Sequence, residues 1–240
     1  MSDSPLAGRT ALVTGASRGI GLATARSLGS GGARVALVAR TADALREHAR
    51  SIGNDALAMP CDLQDGEQIA NVIDRILGAF GGAPDILVLN AGVFSLGKIG
   101  ELPPVDFVQT LALNVGAPYI LLHAFVPLMR ERGDGHVVSI GSIADRAAYP
   151  ENSAYAPAKF AARALHEVLR LELTGSGVRS SLVSPGPVDT DLWNAIDPDN
   201  RPGFTPRGRM LQAEAVAEAV RWVVTRPRDV NVDELRLTRT

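Results

Sequence analysis

Short apolar runs of β-favouring residues recur along this chain, and each is followed by a longer stretch with helical spacing. The runs are Thr10–Thr14 (TALVT), Val35–Ala39 (VALVA), Ala56–Pro60, Asp85–Leu89 (DILVL), Val137–Ile140, Val178–Ser184 and Glu234–Thr238. Between them lie Leu22–Ala33, Asp43–Ile52, Gln64–Phe80, residues 105–132 broken around Gly116-Ala-Pro118, residues 153–175, and Gln212–Thr225. The Gln64–Phe80 stretch carries Ile69, Val72, Ile73, Ile76 and Leu77 on one helical face. DILVL shows no alternation of apolar and polar residues, as expected of a strand buried on both faces. The β-α-β-α order predicts one α/β domain over residues 1–240, a doubly wound, mostly parallel sheet of about seven strands with helices on both faces. No internal repeat, low-complexity tract or domain boundary interrupts it. Residues 193–209, WNAIDPDNRPGFTPRGR, are rich in Pro, Gly and charge and read as a loop that shapes a substrate pocket.

The first strand runs into Gly15-Ala-Ser17-Arg18-Gly19-Ile20-Gly21 and then a helix. Strand, glycine-rich turn and helix open a dinucleotide-binding (Rossmann) unit, here spaced G-x-x-x-G-x-G rather than G-x-G-x-x-G. Glycines let the backbone approach a pyrophosphate, and the amides at the helix start attract its charge. At the end of the second strand, where a carboxylate would hold a ribose 2′-hydroxyl, stand Ala39 and Arg40. With Arg18 in the glycine turn, two guanidiniums and no carboxylate favour a 2′-phosphate, so NADP(H) is expected over NAD(H). The fourth strand ends in Asn90-Ala91-Gly92, small residues that leave room for a ligand at the carboxyl edge of a parallel sheet.

The chemistry is carried by His136–Lys159, HVVSIGSIADRAAYPENSAYAPAK. A strand passes through Gly141-Ser142 into a polar loop, and a helix opening near Ser153 carries Tyr155 and Lys159. Residues four apart share one helix face, so phenol and ammonium can point into the same space. A free phenol holds its proton to a pH near 10, and a neighbouring cation favours the phenolate. Ser142 can hydrogen-bond the same substrate oxygen. Pro157 is tolerated because it lies in the first helical turn. Asn114 sits just before the Gly116-Ala-Pro118 disruption, where its amide can meet a freed backbone group or a water.

Composition removes other classes. The formal net charge is −2, with 46% hydrophobic and 21% charged residues, which gives no reason to expect nucleic acid or an anionic membrane as partner. No apolar run approaches a membrane span of about 20 residues, and the start MSDSPLAGRT lacks a signal-peptide pattern. The single Cys61 offers neither an internal disulfide nor a metal cluster, and His48, His123, His136 and His166 are scattered as packing or surface residues. A cytoplasmic enzyme without a metal is expected.

With these residues placed, the chain resembles the short-chain dehydrogenase/reductase family over nearly its whole length. The carrying motifs are Thr14–Gly21, Asp62, Asn90-Ala-Gly92, Asn114, Ser142, Tyr155-Ala-Pro-Ala-Lys159 and Pro185-Gly186 with Thr190. The resemblance implies an oxidoreductase that passes hydride directly between nicotinamide and a small-molecule carbonyl or secondary alcohol. Tyr155 would be the acid/base, Ser142 would position the substrate oxygen, Lys159 would assist Tyr155 and hold the nicotinamide ribose, and Asn114 would support a water. Asp62 with Leu63 would meet the adenine, and Pro185, Gly186, Val188 and Thr190 would flank the nicotinamide. It further implies a homotetramer or homodimer through helices 105–132 and 153–175, the latter studded with alanines. Leu89 and Ala158 depart from the commonest pattern without removing a catalytic group. A 3-oxoacyl-[acyl-carrier-protein] reductase is the alternative. His136 and Ser176 stand where such enzymes carry basic residues for the acidic carrier, although Arg130 and Arg132 lie close by. A non-catalytic dinucleotide-binding regulator is the second alternative, disfavoured because all four catalytic positions are filled.

Overall fold

The computed structural model of the protein describes residues 4–240. Seven strands, β1 (Thr10–Thr14), β2 (Arg34–Ala39), β3 (Leu57–Pro60), β4 (Ile86–Leu89), β5 (Gly135–Ile140), β6 (Val178–Pro185) and β7 (Glu234–Leu237), form one sheet in the order β3-β2-β1-β4-β5-β6-β7. All pairings are parallel. The helices are α1 (Gly19–Ser30), α2 (Ala42–Ile52), α3 (Gly66–Phe80), α4 (Pro104–Leu111), α5 (Ala117–Arg132), α6 (Tyr155–Glu172) and α7 (Ala213–Val224).

The unbroken apolar character of the strands follows from this layering. Successive residues of β1 face opposite ways: Ala11 and Val13 join the core beneath α1, α2 and α7, and Leu12 joins the core beneath α3, α5 and α6. The same division holds in β4, where Ile86 and Val88 face one layer and Leu87 and Leu89 the other. Each position must therefore be apolar whichever way it points. Deleting a side chain such as Leu12, fully buried between strand neighbours, carries a cost of about 2–5 kcal/mol.

Element boundaries shift by a few residues from the sequence reading, and three of the differences have a clear local reason. Helix α3 starts at Gly66 rather than Gln64 because the Asp65 carboxylate accepts from the amides of Glu67 and Gln68, capping the helix there. Helix α6 starts at Tyr155 rather than Ser153, since the Ser153 hydroxyl donates to Gly97 O at 2.6 Å and does not cap the helix. The expected break at Gly116-Ala-Pro118 is not a break. The chain stays helical from Pro104 to Arg132 by widening into a single π turn, Ala112–Gly116. Such a turn keeps the backbone bonded while shifting the register of side chains around it.

That continuous helix also corrects an expectation from composition. Pro104–Arg132 is, among the described residues, one stretch long and apolar enough by length and composition to cross a bilayer. Here Ala117, Leu121, Leu122, Phe125 and Met129 pack one face of it onto the sheet. The opposite face leaves Tyr119, Ile120 and Leu128 exposed.

The amino-terminal edge of the sheet is tied by charge. Arg132 donates to Ala83 O at 2.9 Å and Pro84 O at 3.2 Å and lies 3.4 Å from the Asp85 carboxylate. Arg130 closes the same helix end, next to the start of β5. Both arginines therefore sit at the edge where the strands begin, so within this chain they do not flank the edge where the strands end.

His136, at this same edge, is fully buried between β4 and β6, with Nε2 2.8 Å from Ser181 Oγ. Burial, reinforced by Arg179 and Arg9, pushes its pKa from 6.5 down to about 3. His166 is lowered too, chiefly by burial. Between pH 6.5 and 3 the unfolded chain binds a proton at His136 that the native chain does not. Stability is therefore complete above that window and falls as pH drops through it, with a slope approaching about 1.4 kcal/mol per pH unit. Thermal unfolding should show a larger loss of Tm between pH 7.5 and 5 in the wild type than in His136→Gln. Equal losses would place the acid sensitivity elsewhere.

Candidate active site

The strands end at a cleft of about 1130 Å³. It is lined by Gly15, Ser17, Arg18, Gly19, Ile20, Arg40, Asp62, Leu63, Asn90, Ala91, Gly92, Ser142, Tyr155, Lys159, Pro185, Gly186, Val188 and Thr190. Of the residues singled out from sequence, only Gly21 and Asn114 stand behind its wall. Gly21 serves the turn itself: a Cβ there would overlap the carbonyl oxygen of Gly15 and crowd the Asn90 amide. The Asn90 amide donates to Thr14 O at 2.9 Å, and the Thr14 hydroxyl receives the backbone N–H groups of Asn90 at 2.9 Å and Ala91 at 3.0 Å. The ends of β1 and β4 are thus locked together beneath the glycine turn. His48 of α2 braces the turn from outside, its Nε2 3.1 Å from Ser17 O. Helix α1 has no acidic residue in its first turn and no side-chain cap, so its leading amides face the cleft without a competing anion.

Asn114 lies at the centre of the π turn and is buried. Its Oδ1 accepts from Val93 N at 2.9 Å and its Nδ2 donates to Val93 O at 3.0 Å. The side-chain amide thus mimics a strand neighbour for the segment leaving β4. The freed backbone group expected near Asn114 belongs to that segment rather than to the helix.

Tyr155 and Lys159 occupy the first two turns of α6, and the Lys159 Nζ is 5.7 Å from the Tyr155 ring centroid. The ammonium donates to Ile140 O, the last residue of β5, at 2.9 Å. Ser142 follows two residues later and caps a short 3₁₀ turn, Ile143–Asp145. Its Oγ accepts from Ala144 N at 3.1 Å, which leaves its own proton available to the cleft. Asp145 is fully buried and completes the reciprocal bond, accepting from Ser142 N at 3.2 Å. The same carboxylate accepts from Ser184 Oγ at 2.5 Å and from Arg146 Nε at 2.8 Å. The sequence reading passed over Asp145, although Ser-x-x-Asp is the signature of a capping box and was visible at Ser142.

Cys61 lies in the cleft floor, and burial first, then Asp62 and Asp65, push its thiol up to about 11, which keeps it protonated. Arg40 is exposed and has no hydrogen-bond or ion-pair partner among the described residues. Arg18 leans toward Asp191, 4.0 Å away, with side chains 66% and 53% exposed, a surface pair of about 0–1 kcal/mol that a better anion would displace. The 193–209 segment is held in place by Arg207, which bonds Asp189, Asn194 and Thr190 O at 2.7, 2.7 and 3.1 Å. It brings Trp193 and Phe204 to the cleft beside Phe94. These aromatic positions carried no sequence signal, since single rings in loops have no spacing to mark them.

The site has known counterparts. The family model for short chain dehydrogenase matches residues 9–201. An uncharacterized oxidoreductase of Staphylococcus haemolyticus is 31% identical over 231 residues, covering 96% of each chain. A metagenomic short-chain oxidoreductase solved with NADP is 34% identical, superposes with a TM-score of 0.85, and covers 98% of this chain and 99% of its own. An alcohol dehydrogenase from the archaeon Thermococcus sibiricus, solved with 5-hydroxy-NADP, is 31% identical with a TM-score of 0.85 and 95% coverage of both chains. The chain belongs to the short-chain dehydrogenase/reductase family and is an NAD(P)-dependent oxidoreductase.

Proposed function

We propose that the protein is an NADP(H)-dependent reductase of small-molecule carbonyls, equivalently a dehydrogenase of secondary alcohols, with Tyr155 as its acid/base. The observation that carries this reading is the placement of Lys159 between the Ile140 carbonyl and the Tyr155 ring at the end of β5. The glycine turn fits a dinucleotide, because its backbone is packed too closely to admit a Cβ at Gly21 and its leading amides are uncapped. Gly15, Ser17, Gly19 and Ile20 would hold the pyrophosphate, Asp62 and Leu63 the adenine, and Asn90, Ala91 and Gly92 the middle of the molecule. Pro185, Gly186, Val188 and Thr190 would flank the nicotinamide, which when bound supplies or accepts the hydride.

In the reductive direction Tyr155 gives its phenolic proton to the substrate oxygen. Ser142 donates a hydrogen bond to the same oxygen with the proton its Ala144 contact leaves unused. One of the three Lys159 protons is spent on Ile140 O, and the other two remain for the phenol and a ribose hydroxyl. Asn114 holds the Val93 backbone so that the cleft wall beside Tyr155 keeps its shape; the water it would support in proton exchange is what the family resemblance implies. The segment 193–209 is the substrate loop. Tyr155→Phe keeps the ring packed on Phe94 and removes only the transferable proton. Turnover with NADPH and an activated diketone should fall roughly 10²–10⁴-fold while NADPH still binds, measured by fluorescence. Near-wild-type turnover would overturn the assignment.

Cofactor choice rests on Arg18 and Arg40. A 2′-phosphate between them gains charge-assisted hydrogen bonds and should favour NADPH over NADH by about 10²-fold in kcat/KM. Arg40→Leu should shrink that ratio, and adding Ala39→Asp should invert it, because a carboxylate repels the phosphate and binds ribose hydroxyls. An unchanged ratio in Arg40→Leu would remove Arg40 from the recognition.

Assembly is read from the exposed apolar residues on two long helices, the continuous α4–α5 stretch and α6. Phe107, Val108 and Tyr119 stand out from α4 and α5, and Phe160, Val168 and Leu171 from α6. A homotetramer or homodimer that covers them is expected, and light scattering at micromolar concentration should report a multiple of the 25.2 kDa chain mass. A monomeric mass across that range would exclude it.

A further inference from the structure

The substrate half of the cleft is built from rings. The chain has only two Trp, three Tyr and six Phe, yet Phe94, Tyr149, Tyr155, Trp193 and Phe204 all line this one space. Four of them form a run of edge-to-face contacts that begins at the proposed acid. Tyr155 and Phe94 have centroids 4.6 Å apart, Phe94 and Trp193 5.2 Å, and Trp193 and Phe204 6.2 Å. Such contacts alternate electron-rich faces with electron-poor edges, so a further ring can extend the pattern where a saturated group cannot. The one polar hydrogen of Trp193 is already given to Val188 O at 2.9 Å, so the indole offers a ligand only its apolar surface.

Charge at the lip is accounted for as well. Arg201 stacks over the Phe204 ring at 4.8 Å and pairs with the Glu151 carboxylate at 2.5 Å. This pair fastens the substrate loop to the loop preceding α6 and cancels the cation nearest the rings. A substrate carboxylate would have to take Arg201 from Glu151 and leave that acid unpaired at a half-buried position.

Resting on the reductase reading, we infer that the substrate is an uncharged ketone, or the matching secondary alcohol, with an aryl group beside the reacting carbon. The aryl ring lies against Phe94, Trp193 and Phe204 while the oxygen meets Tyr155 and Ser142. Short oxo acids and acidic carrier-linked chains are poor substrates, because among the described residues the lip offers no unpaired cation and the rings reward a flat partner.

The test uses the enzyme with NADPH and four carbonyl compounds: 2,3-butanedione as a ring-free reference, acetophenone, cyclohexyl methyl ketone of nearly the same size, and benzoylformate as a charged aryl analogue. Turnover of butanedione checks the reductase reading by itself. Acetophenone should show a KM about tenfold below that of cyclohexyl methyl ketone, and a kcat/KM at least about tenfold above that of benzoylformate. In Trp193→Leu and Phe204→Leu the aryl-to-cyclohexyl ratio of KM values should move toward one, a comparison in which the different reactivities of the ketones cancel. Binding without chemistry is read in Trp222→Phe loaded with NADP⁺. Trp222 lies on α7 outside the cleft, so its removal leaves Trp193 as the fluorescent reporter. Its emission should respond to acetophenone at lower concentration than to cyclohexyl methyl ketone. Butanedione turnover with equal KM values for the two ring ketones would overturn the aryl assignment, and a preference for benzoylformate would overturn the exclusion of charged substrates; either result leaves the reductase reading standing. If no carbonyl compound is reduced, the reductase reading falls and the fluorescence titration alone decides the ligand: selective acetophenone binding keeps the aryl site, and equal binding removes it.

Discussion

Because every strand of the sheet runs the same way, every strand ends at the same edge, and the backbone groups left there must find partners other than a turning chain. Side chains supply them. The Thr14 hydroxyl takes the amides of Asn90 and Ala91 at the end of β4. Asn114 takes both backbone groups of Val93, Lys159 takes Ile140 O at the end of β5, and Trp193 takes Val188 O beyond β6. A buried backbone group without a partner costs about 1–3 kcal/mol, so each of these side chains has a structural duty before it has any other. The site is assembled from residues already needed to finish the sheet, so the fold itself sets its geometry.

This double duty explains what was legible in the sequence. The elements could be read because burial on two faces forces runs such as DILVL, and because amphipathic spacing marks α3. The site residues could be read where chemistry demands a spacing, as between Tyr155 and Lys159 or among Gly15, Gly19 and Gly21. What escaped was set by tertiary contact. The π turn at Ala112–Gly116 replaces the break that Gly116 and Pro118 suggested, because the helix on either side is held by the sheet and can widen rather than stop. Arg132 lies beside the start of β5, close to His136 as its sequence position implied, but the commitment of its guanidinium to Ala83 O, Pro84 O and Asp85 could not be read from sequence.

The two halves of the cleft differ in how they treat charge, and under the proposed reading the difference separates cofactor from substrate. On the glycine-turn side Arg40 has no partner among the described residues and Arg18 only a loose one, so an anion gains two cations while displacing little. On the ring side Arg201 is already paired and stacked. Neither Cys61 nor His136 adds a titrating group near neutrality, since burial holds the thiol protonated and the imidazole neutral. The hydroxyls of Ser142 and Tyr155 line the same cleft beside Lys159, which agrees with the role proposed for them.

Asp145 shows how far the demands of this edge reach behind the reacting groups. A fully buried carboxylate costs several kcal/mol unless its oxygens are filled, and here three donors fill them: Ser142 N, Ser184 Oγ and Arg146 Nε. Those donors come from the loop after β5, from β6, and from an arginine whose other end reaches Glu234 of β7 at 2.6 Å. The contact is close without being aligned as a hydrogen bond, so it acts by charge. Gly141 is part of the same arrangement, because a Cβ on it would press into both Ser184 Oγ and Asp145 Oδ2. The position of the Ser142 hydroxyl is thereby set by three strands at once. Were the carboxylate replaced by an apolar group, the Ser142 amide and the Ser184 hydroxyl would both lose their acceptor, and the turn that aims Ser142 would have no reason to close where it does.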